Sequence, residues 1–203
     1  MNTHPFPHLI LDGWWDQGML LKARDAFPPP DAPVWRKYDN GQEKKLASVG
    51  SPADWPMPVQ RLIMHLVDVD WCEQLSEWFG IPDLIPDLWG GGMHMIPPGG
   101  RLGTHVDFNL HHQGMFRRIN CLVYLNDWSP GMGGELLLGE TGEVVVEPIL
   151  NRTAIFATSD HSWHGHPTPT VDGFWRKSLA VYYYTTTPPE GFRNPHDTVF
   201  WED

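Results

Sequence analysis

The run Arg118-Ile119-Asn120-Cys121-Leu122-Val123-Tyr124-Leu125, closed by Asn126-Asp127, is a short apolar segment stopped by turn-forming residues. Similar runs follow at 135–138, 143–147, 153–157 and 178–186, separated by Gly, Pro, Asp and Asn. Short strands with this punctuation predict a sandwich, jelly roll or barrel. The 20 Gly and 20 Pro, scattered between apolar runs and not gathered into a repeat, point the same way.

Upstream of residue 89 the texture is mixed. Residues 6–12 predict a short strand ahead of Gly13, and residues 14–27 an amphipathic helix stopped by Pro28, Pro29 and Pro30. Residues 34–49 predict a strand or two with a turn at Asn40-Gly41. Pro56 and Pro58 precede Val59, Leu62, Ile63, Leu66 and Val67, whose spacing gives one apolar helical face. The expectation is a mainly β chain with flanking helices (α+β), the N-terminal helices packing on the β strands. Residues 1–203 are read as one domain, in which residues 1–88 form a helix- and strand-bearing N-terminal segment, residues 89–187 the core and residues 188–203 a tail.

Composition bounds the function. Hydrophobic residues make up 41% of the chain, and 11 Trp, 9 Phe and 5 Tyr can fill a core or line a pocket, which excludes a disordered chain. The longest helical-looking stretch, 59–79, is interrupted by charges and too polar to span a bilayer, and no basic-then-apolar leader opens the sequence. A soluble, cytoplasmic protein without a membrane partner is expected. Cys72 and Cys121 are far apart and form no CxxC pair, so neither a disulfide framework nor a cysteine zinc site is indicated. The net charge of −11 disfavours nucleic acid as a partner, because counterion release needs positive surface.

The chemistry begins at Gly103-Thr104-His105-Val106-Asp107-Phe108. Strand alternation would put His105 and Asp107 on one face, a chelating arrangement, although an exposed polar pair at a strand end has the same spacing. His164 stands much later, in Asp160-His161-Ser162-Trp163-His164-Gly165-His166-Pro167. Two His and one carboxylate make the facial triad of non-haem iron sites, and zinc takes the same set. In Arg176-Lys177-Ser178-Leu179-Ala180-Val181-Tyr182, alternation places Arg176, Ser178, Ala180 and Tyr182 on one face. A buried guanidinium and a hydroxyl there could clamp a carboxylate; an isolated Arg opening an exposed strand is the plainer alternative.

Taken in order, His105-x-Asp107, the 118–128 run with Tyr124, Gly133-Gly134-Glu135-Leu136, His164-Gly165 and the strand opened by Arg176 resemble the iron(II)/2-oxoglutarate dependent oxygenase superfamily, in its prolyl hydroxylase-like branch. The resemblance covers about residues 89–187 and implies a double-stranded β-helix, or jelly roll. It implies iron(II) on His105, Asp107 and His164, 2-oxoglutarate held at its far carboxylate by Arg176 and Tyr124, and dioxygen as oxidant, with ascorbate a candidate accessory. Ser178 matches an Arg-x-Ser pattern of other branches. His164 is preferred to His161 and His166 because the family's ligand is followed by a small or short apolar residue, here Gly165.

The implied activity is hydroxylation of an unactivated C–H bond with decarboxylation of 2-oxoglutarate to succinate and carbon dioxide. Asp107 fills the position that related halogenases leave open, which favours hydroxylation over halogenation, while desaturation or ring closure could proceed from the same oxidant. The substrate would be a small molecule or an amino-acid side chain of a protein, chosen by residues 107–118, the N-terminal segment and the tail 190–203; these motifs carry no information on oligomeric state. The competing class is a non-redox cupin-like metal protein or isomerase, for which Arg176 and Tyr124 would have no diacid to hold. His111 and His112 are expected in an exposed polar loop, Arg117 and Arg118 at an exposed strand start with one able to reach an anionic substrate, and Met93, His94 and Met95 on a core or pocket-lining strand. Gly133 and Gly134 are read as a turn allowing close strand packing.

Overall fold

A computed structural model describes residues 1–201; Glu202 and Asp203, the end of the expected tail, lie outside the described residues. β1 (His8–Asp12) and α1 (Gln17–Asp25) lead into the hairpin β2 (Trp35–Asp39) and β3 (Glu43–Ser48), then α2 (Met57–Leu66) and α3 (Val69–Phe79). Next come β4 (Ile85–Ile96), β5 (Arg101–Val106), β6 (Phe116–Tyr124), β7 (Leu136–Leu138) and β8 (Val144–Val146). β9 (Arg152–Ala157), β10 (His164–His166), β11 (Arg176–Thr185) and β12 (Val199–Phe200) complete the order.

The strands neighbour one another as β1-β9-β6-β11-β4-β3-β5-β10-β7-β8, with β2 on β3 and β12 on β5. From β4 to β11 the chain shuttles between two four-stranded leaves, β9-β6-β11-β4 and β5-β10-β7-β8, and β3 pairs with both β4 and β5 to join them. This is the expected double-stranded β-helix. Its two leaves enclose a space that receives one set of side chains from each strand, while the alternate set faces outward.

Outward-facing Leu179, Val181 and Tyr183 of β11 and Ile119, Cys121 and Val123 of β6 are buried under α2 and α3, against Leu62, Leu66, Trp71 and Leu75. The Tyr183 hydroxyl donates to the Leu66 carbonyl (2.7 Å) and accepts from Trp71 Nε1 (2.9 Å), satisfying one of the carbonyls that the end of α2 leaves without an intrahelical partner. Tyr183 thereby fastens both helices to the strand that carries Arg176.

The helical stretch 59–79 is divided, because Asp68 caps α3 by accepting from the Asp70 N–H (3.0 Å) and its extended backbone ends α2. The N-terminal helix is shorter than residues 14–27: Asp16 accepts from the Met19 N–H (2.7 Å), which leaves Trp14 and Trp15 outside it. Asn40 turns the β2–β3 hairpin by accepting from the N–H groups of Gln42 (2.8 Å) and Glu43 (2.9 Å). No helix among the described residues is long and apolar enough to cross a membrane, and Cys72 and Cys121 are both buried free thiols.

Candidate active site

His105, on β5, lies directly across from His164, on β10, in the antiparallel register, and their rings approach to 4.4 Å. Asp107 sits just beyond β5, with Oδ1 3.6 Å from His105 Nε2 and Oδ2 3.4 Å from His164 Nε2. One ligand atom from each residue lies within 4.8 Å of the other two. Each imidazole Nδ1 meets a carbonyl oxygen, Gly103 for His105 (2.9 Å) and Ser162 for His164 (2.8 Å). A carbonyl can only accept, so Nδ1 carries the proton and the Nε2 lone pair faces the centre, as a metal ligand must.

Gly165 explains why His164 can occupy this place. A Cβ there would stand 2.7 Å from the Gly103 carbonyl oxygen, so only glycine lets β10 lie this close to β5. Of the two competitors, His161 is exposed, and His166 is buried in the wall of the same chamber but outside the cluster of ligand atoms.

Asp107 is held from behind. Asn120 Nδ2 donates to its Oδ2 (2.7 Å), and Arg117 Nη2 pairs with the same oxygen (3.1 Å). Arg117 Nε donates to Asn120 Oδ1 (2.9 Å), and its guanidinium lies 3.6 Å over the Tyr182 ring and 4.6 Å from the Phe108 ring. Burial disfavours the Asp107 charge, but Arg117, then His164 and His105, outweigh it and hold the carboxyl well below its usual range. Burial, with His105 adding to it, pushes His164 down to about 4, so its imidazole is neutral and free to ligate near neutral pH.

Arg117 corrects the expectation of an exposed strand start: it is buried, at 4% exposure, whereas Arg118 is half-buried and donates to Thr185 Oγ1 (3.1 Å). A bulge is responsible. Tyr183 pairs with Ile119 but Tyr184 pairs with Arg117, so Arg118 is the extra residue and Arg117 is switched onto the face of Asn120. His111 is corrected too, since its ring is buried edge-on against Trp89 (4.9 Å) and Tyr184 (5.1 Å), while His112 is exposed as expected. His94 lines the chamber; Met93 and Met95 point the other way into the core.

Arg176 enters the same chamber from β11 and is 3% exposed. Its Nη2 donates to the Tyr124 hydroxyl over a long 3.4 Å, and its buried Nε has no partner among the described residues. Burial lowers its pKa, so a bound anion is the partner it lacks. Gly134 makes room for it: its φ is 78°, and a Cβ there would stand 2.8 Å from Arg176 Cδ. Gly133, with φ of 73°, instead lets the turn lie against the Pro169 backbone, so close packing describes Gly133 while Gly134 also serves the guanidinium. Ser178 turns into the chamber one strand position pair away, opposite Tyr124 in the β11–β6 register.

The chamber, about 290 Å³, contains the triad at one side of its wall and an unpaired guanidinium at another. Two imidazoles offering Nε2 together with a carboxylate suit iron(II), and a buried cation beside a hydroxyl suits the far carboxylate of a keto diacid, so the residues present fit both groups.

Residues 91–184 match the family described as the 2OG-Fe(II) oxygenase superfamily. Over those residues the chain carries an oxygenase domain of that superfamily. Every residue of the triad and of the Arg176 pocket falls inside the match, and this oxygenase therefore uses iron(II), 2-oxoglutarate and dioxygen. No curated protein sequence matches the chain. Among solved structures, the Pseudomonas putida prolyl-4-hydroxylase is similar with a TM-score of 0.63 at 16% identity, covering 87% of this chain and 91% of its own. A viral collagen prolyl hydroxylase from Paramecium Bursaria Chlorella virus-1, in a 2-oxoglutarate complex, gives 0.59 at 15% identity over 87% and 95%. A Trichoplax adhaerens prolyl hydroxylase gives 0.61 at 17% identity over 87% and 83%. At these identities the likeness is one of fold.

Proposed function

We propose that this oxygenase hydroxylates an unactivated C–H bond of an amino-acid side chain carried on a larger molecule, with residues 1–203 acting as one oxygenase unit. The observation that carries the 2-oxoglutarate assignment is Arg176, a buried guanidinium with no ion-pair partner among the described residues, in the chamber that holds the triad. The size of the site supports the substrate assignment. A chamber of about 290 Å³ must take a metal, the co-substrate and the reacting group, which leaves room for a side chain and not a whole large substrate. It adjoins an open groove of about 870 Å³ that shares Tyr38, Lys45, Gly90 and Phe108 with it, where the rest of such a molecule could lie. The fold likeness to prolyl hydroxylases favours a prolyl or similar residue.

Bound iron(II), with 2-oxoglutarate beside it, supplies the activation of dioxygen that yields an alcohol, succinate and carbon dioxide. The protein's share is geometry and exclusion of water. His105 and His164 offer Nε2 because their Nδ1 protons are held on carbonyls, and Asp107 offers a carboxylate whose Oδ2 is steadied by Asn120 and Arg117. Arg176 and Tyr124 take the far carboxylate, Ser178 adding a hydroxyl nearby. Asp107 occupies the position that halogenation would need free, which favours hydroxylation.

Anaerobic addition of iron(II) and 2-oxoglutarate should give the weak visible charge-transfer band of their chelate. Succinate release should then be screened across peptides, free amino acids, sugars and lipids, with a mass shift confirming oxygen insertion. Tight metal binding without the band would sink the reading and favour a cupin-like metal protein. Turnover confined to sugars or lipids would overturn the substrate class alone.

A further inference from the structure

The family match stops at residue 184, yet some of the chamber wall comes from beyond it. After β11 the chain folds back over the site. Phe192 packs edge-on against Phe116 (4.8 Å), and Asn109, two residues past Asp107, takes hold of the strap. Its Nδ2 donates to the Asn194 carbonyl (3.0 Å) and its Oδ1 accepts from the His196 N–H (3.0 Å), while His196 Nε2 meets Asp160 Oδ1 (3.0 Å). β12 then pairs with β5, placing Phe200 directly across from His105. The Trp201 N–H donates to the Thr104 carbonyl (2.8 Å), and its ring stands edge-on to Trp163 (4.8 Å), the neighbour of His164.

Strand alternation decides which side chain the strap delivers. Val199 and Trp201 face outward, at 45% and 41% exposure, whereas Phe200 faces inward and lines the chamber with its ring 5.5 Å from the His105 ring. We infer that Phe200 is a specificity-determining residue of this oxygenase: it is the chamber wall on the β5 side and limits the bulk of any group that can stand beside the metal. A phenyl ring fixed on a strand that is clasped at both ends cannot yield as a flexible side chain would, so a larger ligand must overlap it. This inference rests on His105, Asp107 and His164 being the metal ligands.

The test loads the full-length protein with cobalt(II), whose visible spectrum reports its ligands, adds 2-oxoglutarate, and titrates with imidazole and with 4-phenylimidazole. Imidazole should bind the wild type and Phe200→Ala alike. 4-Phenylimidazole should bind Phe200→Ala at least about tenfold more tightly than the wild type, with Phe200→Leu between them. Phe200→Leu keeps an apolar side chain on β12 should the alanine variant loosen the strap. Equal affinity of all three proteins for 4-phenylimidazole, with normal cobalt binding, overturns this inference alone. Weaker cobalt binding in Phe200→Ala with no gain for the larger ligand also overturns it, showing a prop for His105 and not a wall. A wild type that binds no cobalt overturns the metal-ligand reading underneath.

Discussion

Two carboxylate-binding tasks are met at the residue scale by arginines used in opposite ways. Arg117 is already paired, since Asp107 and Asn120 occupy its donors, and so it steadies a proposed metal ligand; Arg176 has no ion-pair partner among the described residues and is the proposed seat of the co-substrate. Replacing Asn120 by Ala or Arg117 by Met should therefore weaken iron(II) binding about 10–100-fold, the usual effect of removing a group that orients a ligand. Metal titration of the purified variants would check this, and unchanged affinity in both would show that Asp107 needs no support. Arg176→Ala should leave metal affinity intact and raise the concentration of 2-oxoglutarate needed for the visible band, because it deletes a charge-assisted pair remote from the metal. Gly134→Ala should act in the same direction, since its Cβ would meet Arg176 Cδ at 2.8 Å on a backbone with φ of 78°. A 2-oxoglutarate titration matching the wild type would contradict the proposed seat of the co-substrate.

Among the elements, β11 carries the heaviest double duty, with Arg176 and Ser178 facing the chamber and Leu179, Val181 and Tyr183 facing the helices. Removing the Tyr183 hydroxyl strands a buried donor on Trp71 and a buried acceptor on Leu66. Tyr183→Phe should cost about 1–3 kcal/mol, read as a lower Tm, while 2-oxoglutarate affinity stays near that of the wild type. Leu66→Ala, at a fully buried position of the same contact, should cost about 2–5 kcal/mol by opening a cavity. An unshifted Tm in both would mean that the helices are not anchored through this contact.

For the molecule as a whole, the buried histidines couple the site to stability. Burial, then His105, depresses His164 from 6.5 to about 4, and burial, then Arg176 and Lys45, holds His166 well below its ordinary value. In the metal-free protein these rings remain neutral where the unfolded chain would protonate them, so the unfolded state binds more protons below pH 6.5. Stability should fall as pH drops through 6.5 toward about 4, by up to about 1.4 kcal/mol per pH unit for each such histidine. Thermal melts of metal-free protein across that range would test it; a Tm that stays flat or rises on acidification contradicts the assignment.

The order and spacing of apolar runs pointed to a sandwich, jelly roll or barrel, the family resemblance singled out the jelly roll, and the motifs around His105, Asp107, His164, Tyr124 and Arg176 supplied the candidate site, because strand alternation and ligand chemistry are local properties that a sequence carries openly. Tertiary structure alone decided the rest. Arg117 lies on the chamber side only because a bulge at Arg118 reverses the alternation, and an extra unpaired residue leaves no period-two signal. Phe200 reaches His105 only because a two-residue strand far along the chain pairs with the stretch of β5 that β3, at Arg101 and Leu102, leaves free, a pairing set by the closure of the whole fold and not by neighbouring residues.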